Sequence, residues 1–530
     1  MNRPIRKVSV TIAVLFLALF VNLNYVQVFK GNAYRNDSRN QRVLLNEYSH
    51  PRGQIVVSGT AVAESRKSSD ELKYLRVYPE GPVYAPVTGY YSFSYGTSGI
   101  EDAENSVLTG DDSRLFGTKL AGLLTGRDPK GGSVELTINK AAQEAAYKAM
   151  GGRRGAVVAL DPKTGAILAA VSTPSYDPNQ LSSHNANTIS KAWTKYTTDK
   201  NNPMLNRAFR QVYPAGSMFK VIDAAAALSL PKPITPNTQL SSPNSYWPLE
   251  PQRTTKCPAN HAAPCVENFS GETCDNGKTA TLAFALAKSC NTTFSKLSVD
   301  TIHGSALAAQ AQKFGLDPPY AGTQPPNLCD PAAFTTPLSV CRSSPGSTTD
   351  FAQPDTLAQT AIGQRNVELT PLQAAMISAS VANNGTLMKP YLVAKEFRPD
   401  LSVLKETTSQ QLSQVIDPTL DTSLISMMEG VVTSPEGTGG PANITELGPT
   451  VKVGGKTGTA DHGVPDKNGN LPPPHAWFTG FALQKGDPKI AVAVIIEDGG
   501  VSGSETTGGL AAAPVAKKVM LAYLKAIGGN

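Results

Sequence analysis

The chain begins with its most hydrophobic stretch. "VSVTIAVLFLALFVNLNYVQVF", residues 8–29, holds no charged side chain and is preceded by Arg3, Arg6 and Lys7. As a helix rising about 1.5 Å per residue it would reach roughly 33 Å, enough to cross a bilayer core. A cleaved signal peptide should show an A-x-A-like site after its apolar stretch, and none follows. The pattern therefore predicts an uncleaved single-pass anchor in the cell membrane. Residues 1–7 are expected on the cytoplasmic side, where cations are retained, and residues 31–530 outside.

The pattern then changes twice. Residues 30–135 are polar and turn-rich with short apolar stretches such as "GQIVV" and "GPVYAPVTGYYSFSYG", which predicts a mostly β membrane-proximal module. From "GGSVELTINKAAQEAAYKAM" onward a strand is followed by a segment of helical composition. "GAVVAL", "DPKTG" and "AILAAVS" read as strand, turn and strand over 155–172, and "HAWFTGFAL", "QKGDP" and "KIAVAVIIE" repeat that hairpin over 475–497. A closing helix, "AAAPVAKKVMLAYLKAI", carries Pro514 near its first turn. The long interval between the hairpins is Ala-rich and mainly helical. These alternations predict an α+β domain over 136–530, with one antiparallel sheet built from both ends and a helical lobe beside it. A site would lie in the groove between them.

Composition narrows the classes. Forty per cent hydrophobic and 17 per cent charged residues in a 530-residue chain indicate ample core. The net charge of +6 is spread along the chain, with no basic stripe or aromatic-interleaved motif, so no nucleic-acid partner is indicated. Six cysteines, at 257, 265, 274, 290, 329 and 341, suit an exported domain; none forms a C-x-x-C pair, which argues against a zinc ribbon. Cys329–Cys341, flanking a Pro- and Ser-containing loop, is the one pairing expected.

Three short stretches carry candidate chemistry. In "QVYPAGSMFK", Pro214 and Gly216 suit a turn, and the Ala-rich "VIDAAAAL" that follows favours helix. Ser217 and Lys220, three apart at that helix start, would share one face. "LAKSCNTTF" places Ser289, Cys290 and Asn291 at the end of an apparent helix, and "VGGKTGTA" places Lys456, Thr457, Gly458 and Thr459 in an extended run before the second hairpin. A Walker A loop is excluded because Thr450 stands where it needs glycine. No G-x-S-x-G elbow surrounds Ser217, which disfavours an α/β-hydrolase.

S-x-x-K, S-x-N and K-T-G in that order form the motif set of serine β-lactamases and penicillin-binding proteins. With its anchor and size, the chain resembles the class B penicillin-binding proteins, monofunctional D,D-transpeptidases, over roughly 133–528. "VVALDPKTGAILAAVSTPSYDPN", "NRAFRQVYPAGSMFK", "AIGQRNVELTPLQAA" and "GKTGTA…WFTGFA" carry the likeness. Nearer the anchor, Arg52, Gly53 and Ile55 keep the start of a family motif, but Val57-Ser58-Gly59-Thr60 replaces its usual D-R-N-G; Gly99, Ile100 and Glu101 keep part of another. These departures look like the actinobacterial penicillin-binding protein A type, with a dimerisation-like pedestal over 30–135.

The resemblance implies a serine acyl-enzyme that crosslinks peptidoglycan stem peptides with loss of D-alanine, is blocked by β-lactam antibiotics, and serves cell shape, elongation or division. Ser217 is the expected nucleophile and Lys220 its base, made a free amine by burial and by Lys456 across the groove. Ser289 would relay protons and Asn291 bind a substrate amide. Lys456, Thr457, Gly458 and Thr459 would receive the terminal carboxylate, and the backbone N–H groups of Ser217 and Thr459 would form the oxyanion hole. No metal or organic cofactor is implied, and His475 is expected to be a structural groove-wall histidine. Cys290, where the β-lactamase motif has aspartate, is expected to be a buried inward thiol. About 100 residues before the catalytic domain cannot hold a glycosyltransferase, so the family implies a RodA/FtsW-type polymerase as partner. The alternatives are a D,D-carboxypeptidase, which the anchor and extra module disfavour, and a β-lactam receptor, for which seven cytoplasmic residues leave no signalling domain.

Overall fold

Two sheets organise the chain. The computed structural model describes residues 3–30, 45, 47–115, 117, 130–232, 234–258, 264–322, 324–329, 334–463, 472–500 and 507–528. Of the stretch assigned above to the membrane-proximal module, residues 31–44, 46, 116 and 118–129 lie outside the described residues. The first helix, α1 (Arg3–Asn24), continues as a wider turn over Tyr25–Lys30. Pro4–Gln27 is long and apolar enough to cross a membrane, with a mean hydropathy of 2.0 and none of it buried against the rest of the chain.

The pedestal sheet contains β1 (Ile55–Val57), β2 (Thr60–Lys67) and β3 (Tyr74–Val77), followed further along the chain by β4 (Ser133–Leu136). β1 pairs antiparallel with β2 and parallel with β4. Two strands from far downstream, Val393–Phe397 and Val403–Glu406, complete the sheet beside β4. The segment 81–88, read above as part of a mostly β module, is instead the helix α2 (Gly81–Thr88). Pro82 in its first turn has the fixed φ a helix start accepts, and Tyr84, Ala85 and Val87 point into the core. The motif residues nearer the anchor meet here: Arg52 Nε and Arg76 Nε lie 2.5 and 2.6 Å from the two oxygens of buried Glu101, and Tyr78 donates to Glu101 at 3.0 Å.

The second sheet is the one expected from both ends of the domain. β5 (Gly155–Leu160) and β6 (Ile167–Thr173) join β7 (Val451–Ala460), β8 (His475–Gln484) and β9 (Asp487–Ile496) in the order β7-β8-β9-β5-β6, all antiparallel. Both faces are covered. Ala156, Val158 and Leu160 belong to the core shared with the helical lobe, whereas Val157 and Ala159 pack with α3 (Lys140–Met150) and the closing helix Ala513–Ala526. Period-two alternation with two buried faces produces the continuous apolar strands seen in the sequence. In the helical lobe, α4 (Lys220–Leu228) and α5 (Leu282–Lys288) pack on each other and on α8 (Pro418–Thr433), which also lies against β7. α6 (Asn291–Leu297) follows α5, and α7 (Pro371–Ala382), all of whose residues are buried, lies against β5, β8 and β9.

Three disulfides are present: Cys257–Cys265, Cys274–Cys290 and Cys329–Cys341. The expected Cys329–Cys341 bond is among them. The expectation of a free Cys290 thiol is corrected. Cys290 is inward and 2% exposed, but the space it points into holds the Cys274 sulfur.

Candidate active site

Three elements converge where the edge strand β7 faces the helical lobe. The S-x-x-K turn starts as a short 3-10 segment, Gly216–Phe219, before α4. Gly216 has φ +53°, and a side chain there would bring Cβ to 2.7 Å from the Thr459 carbonyl. Only glycine lets the turn approach the K-T-G strand so closely. Gly458 does the same from the other side, since a Cβ would meet Trp477 Cβ at 3.0 Å and Met218 Cγ at 3.1 Å. Trp477 fixes the turn by donating from its indole to the Pro214 carbonyl at 3.0 Å.

Ser289 caps the end of α5 in a left-handed conformation, φ +66°. A non-glycine residue at positive φ is a strained position held by its surroundings. Here it turns both Ser289 oxygens onto Lys220, whose Nζ lies 2.8 Å from the Ser289 carbonyl and 3.2 Å from Oγ. Lys220 Nζ also reaches Ser217 Oγ at 3.0 Å and Asn291 Oδ1 at 2.6 Å. From β7, Lys456 Nζ donates to Ser289 Oγ at 2.8 Å and to the Thr457 carbonyl at 2.9 Å. Ser289 thus stands between two amines. Asn291 is partly engaged, since its Nδ2 donates to the Glu267 carbonyl at 2.9 Å; one amide hydrogen and one lone pair remain for a ligand.

Both lysines are fully buried, while Ser217 is half-buried. Burial first, and the Lys456 cation next, pull the Lys220 ammonium well below the ordinary lysine value, against a weaker opposing effect of Asp223. Burial alone brings Lys456 down to about 7. Asp223, one turn beyond Lys220, is pushed well above the carboxylate range by burial, with Ser298 donating to its Oδ1 at 2.7 Å. A buried amine held neutral beside a serine hydroxyl can accept its proton. Among the described residues β7 is an edge strand, so its outer backbone groups have no strand partner there and face the S-x-x-K turn.

His475 ends β8 opposite Ala460, outside the lysine cluster. Its ring stacks on His462 at 3.7 Å, its Nδ1 accepts the Asp498 N–H at 3.2 Å, and burial lowers its pKa to about 4. His462, His475 and Asp498 each offer one ligand atom, all within 4.8 Å of one another, a group that could hold a metal ion apart from the lysine cluster, and His462 Nε2 lies 2.9 Å from Asp498 Oδ1. The motifs did not disclose two neighbours of the site. Glu267 offers only its backbone carbonyl. Thr438, in "EGTGG", stands 2.6 Å from Thr457 Oγ1 through its own hydroxyl.

Comparison with known proteins places the chain in a family. Residues 155–521 match the penicillin-binding protein transpeptidase domain, and residues 52–134 match the penicillin-binding protein A dimerisation domain. The chain belongs to the penicillin-binding protein transpeptidases. It is 43% identical over 530 residues to the peptidoglycan D,D-transpeptidase PbpA of Mycolicibacterium smegmatis and 41% identical to that of Mycobacterium tuberculosis, with 99% of each chain covered in both cases. Among solved structures, the ceftriaxone acyl-enzyme complex of penicillin-binding protein A from M. tuberculosis superposes with a TM-score of 0.79 at 40% identity, covering 91% of this chain and 100% of that one.

Proposed function

We propose that the protein is a peptidoglycan D,D-transpeptidase whose nucleophile is Ser217. Lys220 Nζ, 3.0 Å from Ser217 Oγ and disfavoured as an ammonium, carries this reading. Lys220 takes the hydroxyl proton as Oγ attacks the carbonyl carbon between the two terminal D-alanines of a stem peptide. The backbone N–H groups of Ser217 and Thr459 receive the oxyanion. The C–N bond breaks, the proton returns through Ser289 to the leaving nitrogen, and D-alanine departs from an acyl-Ser217 ester. The amine of a neighbouring stem then attacks that ester and gives its proton to Lys220; the C–Oγ bond breaks, Lys220 passes the proton to Ser217 Oγ, and both residues are regenerated. Asn291 holds the substrate amide, while Lys456, Thr457, Gly458 and Thr459 receive the terminal carboxylate. A β-lactam enters the first half of the cycle and stops at the ester.

The same reading divides the chain into a cytoplasmic tail (1–7), a membrane anchor (8–29), a pedestal (30–135, with its sheet completed by 393–406) and a catalytic domain (136–530), with the catalytic domain outside the cell membrane. A RodA/FtsW-type membrane polymerase would supply the glycan. Asn22, in the anchor, offers a polar group for such a contact, whereas the Asn24 amide is turned back onto the Phe20 carbonyl at 2.8 Å. Mass spectrometry after exposure to penicillin tests the chemistry. The adduct is expected on the Ser217 peptide and absent from Ser217→Ala; labelling that persists in a folded Ser217→Ala protein overturns it. Purified full-length protein given lipid-linked precursor should form no glycan strands unless a polymerase is added.

A further inference from the structure

Thr438 lies in the loop after α8, outside all three motifs, yet it joins two of them. Its backbone N–H donates to the Ala287 carbonyl at 3.2 Å, and its hydroxyl lies 3.4 Å from the same carbonyl and 2.6 Å from Thr457 Oγ1. Ala287 is in the last turn of α5, directly before Lys288 and Ser289, so its carbonyl lacks a partner inside the helix. The Thr438 N–H supplies that partner. An ion pair between Lys288 and Glu436, at 3.0 Å, ties the same loop to the same helix end.

The hydroxyl is therefore free to choose. A threonine has one O–H to donate. If Thr438 donates to Ala287, its oxygen accepts the Thr457 proton, which then points away from a ligand. If Thr438 donates to Thr457, the Thr457 lone pair is filled and its proton is released toward the groove. The second arrangement leaves the Ala287 carbonyl satisfied by the backbone N–H, so the switch leaves no buried acceptor bare. An anion at Thr457 draws the chain of hydroxyls into that order.

Resting on the reading that Thr457 meets the substrate carboxylate, we propose that Thr438 is a positioning residue for carboxylate recognition, donating to Thr457 Oγ1 so that the Thr457 proton faces the carboxylate. Thr438 touches no reacting atom. Its effect belongs to binding of the free acid and not to the acyl transfer.

The test uses full-length protein in detergent and two acyl-D-alanyl thioesters, one ending in a free carboxylate and the other in the corresponding amide. Thr438→Val, which keeps the shape and removes the hydroxyl, should raise KM for the carboxylate substrate about 3- to 10-fold with kcat held, and leave KM for the amide nearly unchanged. Thr438→Ser should restore the wild-type ratio. Equal losses on both substrates, an unchanged KM for the acid, or failure of Thr438→Ser to rescue would each overturn the proposal. A wild-type protein that forms no Ser217 adduct with penicillin would instead overturn the transpeptidase reading beneath it, an outcome the two-substrate comparison does not mimic.

Discussion

The pedestal and the catalytic groove each bury cations, but with opposite bookkeeping. Arg52 and Arg76 flank the buried Glu101, which burial would raise but which Arg76 and Arg52 together hold below the usual carboxylate range. In the groove, the bonds that hold Lys220 and Lys456 go to neutral oxygens of Ser217, Ser289, Asn291 and Thr457. The nearby carboxyl, Asp223, is driven toward its neutral form. A compensated buried charge remains a charge and fixes structure; an uncompensated one loses its proton and becomes a base. The difference lies in whether an anion accompanies the burial.

The strongest way to break this contrast is to remove one cation from each region and compare signs. Lys220→Met should lower acylation by penicillin about 10⁴-fold, the upper end for loss of a general base. Its thermal melting should stay at or above wild type, because an uncompensated buried amine is exchanged for an apolar chain of similar length. Glu101→Gln should do the reverse. With two guanidiniums left facing a neutral amide, stability should fall by about 3–5 kcal/mol, while acylation per folded molecule stays near wild type. Denaturant melts paired with active-site titration check both. A Lys220→Met protein destabilised as much as Glu101→Gln would show that the two clusters are not opposites.

The sequence disclosed these regions unequally. The Ser217–Lys220 pair was legible from spacing alone, since one helical turn fixes it. The approach of Ser289 and Lys456, far along the chain, has no local signal and came only with the family motifs. Both hairpins of the catalytic sheet were legible because each strand repeats an apolar run. The pedestal was less so. Short apolar stretches between turns made the whole module, 81–88 included, read as mostly β, whereas Pro82 and burial of one face make 81–88 helix. "VAKEF" and "VLKE" gave no hint that they would extend the sheet of β4, because a sheet partner hundreds of residues away leaves no trace in the strand itself. Thr438 is a threonine among glycines, and only tertiary contact distinguishes it.

Cys290 sharpens the comparison at a smaller scale, because it separates burial from chemistry within the site. The Cys274–Cys290 bond closes a loop of sequence separation 16, worth about 3 kcal/mol through the unfolded chain. Cys274→Ser/Cys290→Ser should therefore lose about that much stability. Acylation of the folded protein should change little, since neither sulfur bonds Lys220, Ser289 or Asn291. Removing both cysteines avoids an orphan thiol. A large acylation loss at preserved stability would place the disulfide in the machinery instead of beneath it.

The smallest effect tests whether the two groove lysines differ from each other. Lys456 titrates near 7, whereas Lys220 is depressed further by the Lys456 cation. Below about 7 Lys456 is an ammonium and attracts a carboxylate; as pH rises through that value the charge is lost while the amine can still donate. Charge-assisted hydrogen bonds are roughly twice as strong as neutral ones, so the loss amounts to about 1 kcal/mol, or about fivefold in KM for a carboxylate-bearing substrate. The wild-type KM should accordingly climb across pH 7 toward the alkaline side, with the amide-terminated substrate nearly flat. Lys456→Arg keeps its charge throughout and should flatten the climb, whatever its absolute rate. A pH-independent wild-type KM would mean that Lys456 keeps its proton despite burial. The groove would then hold a permanent cation, as the pedestal does, and the contrast would narrow to Lys220 alone.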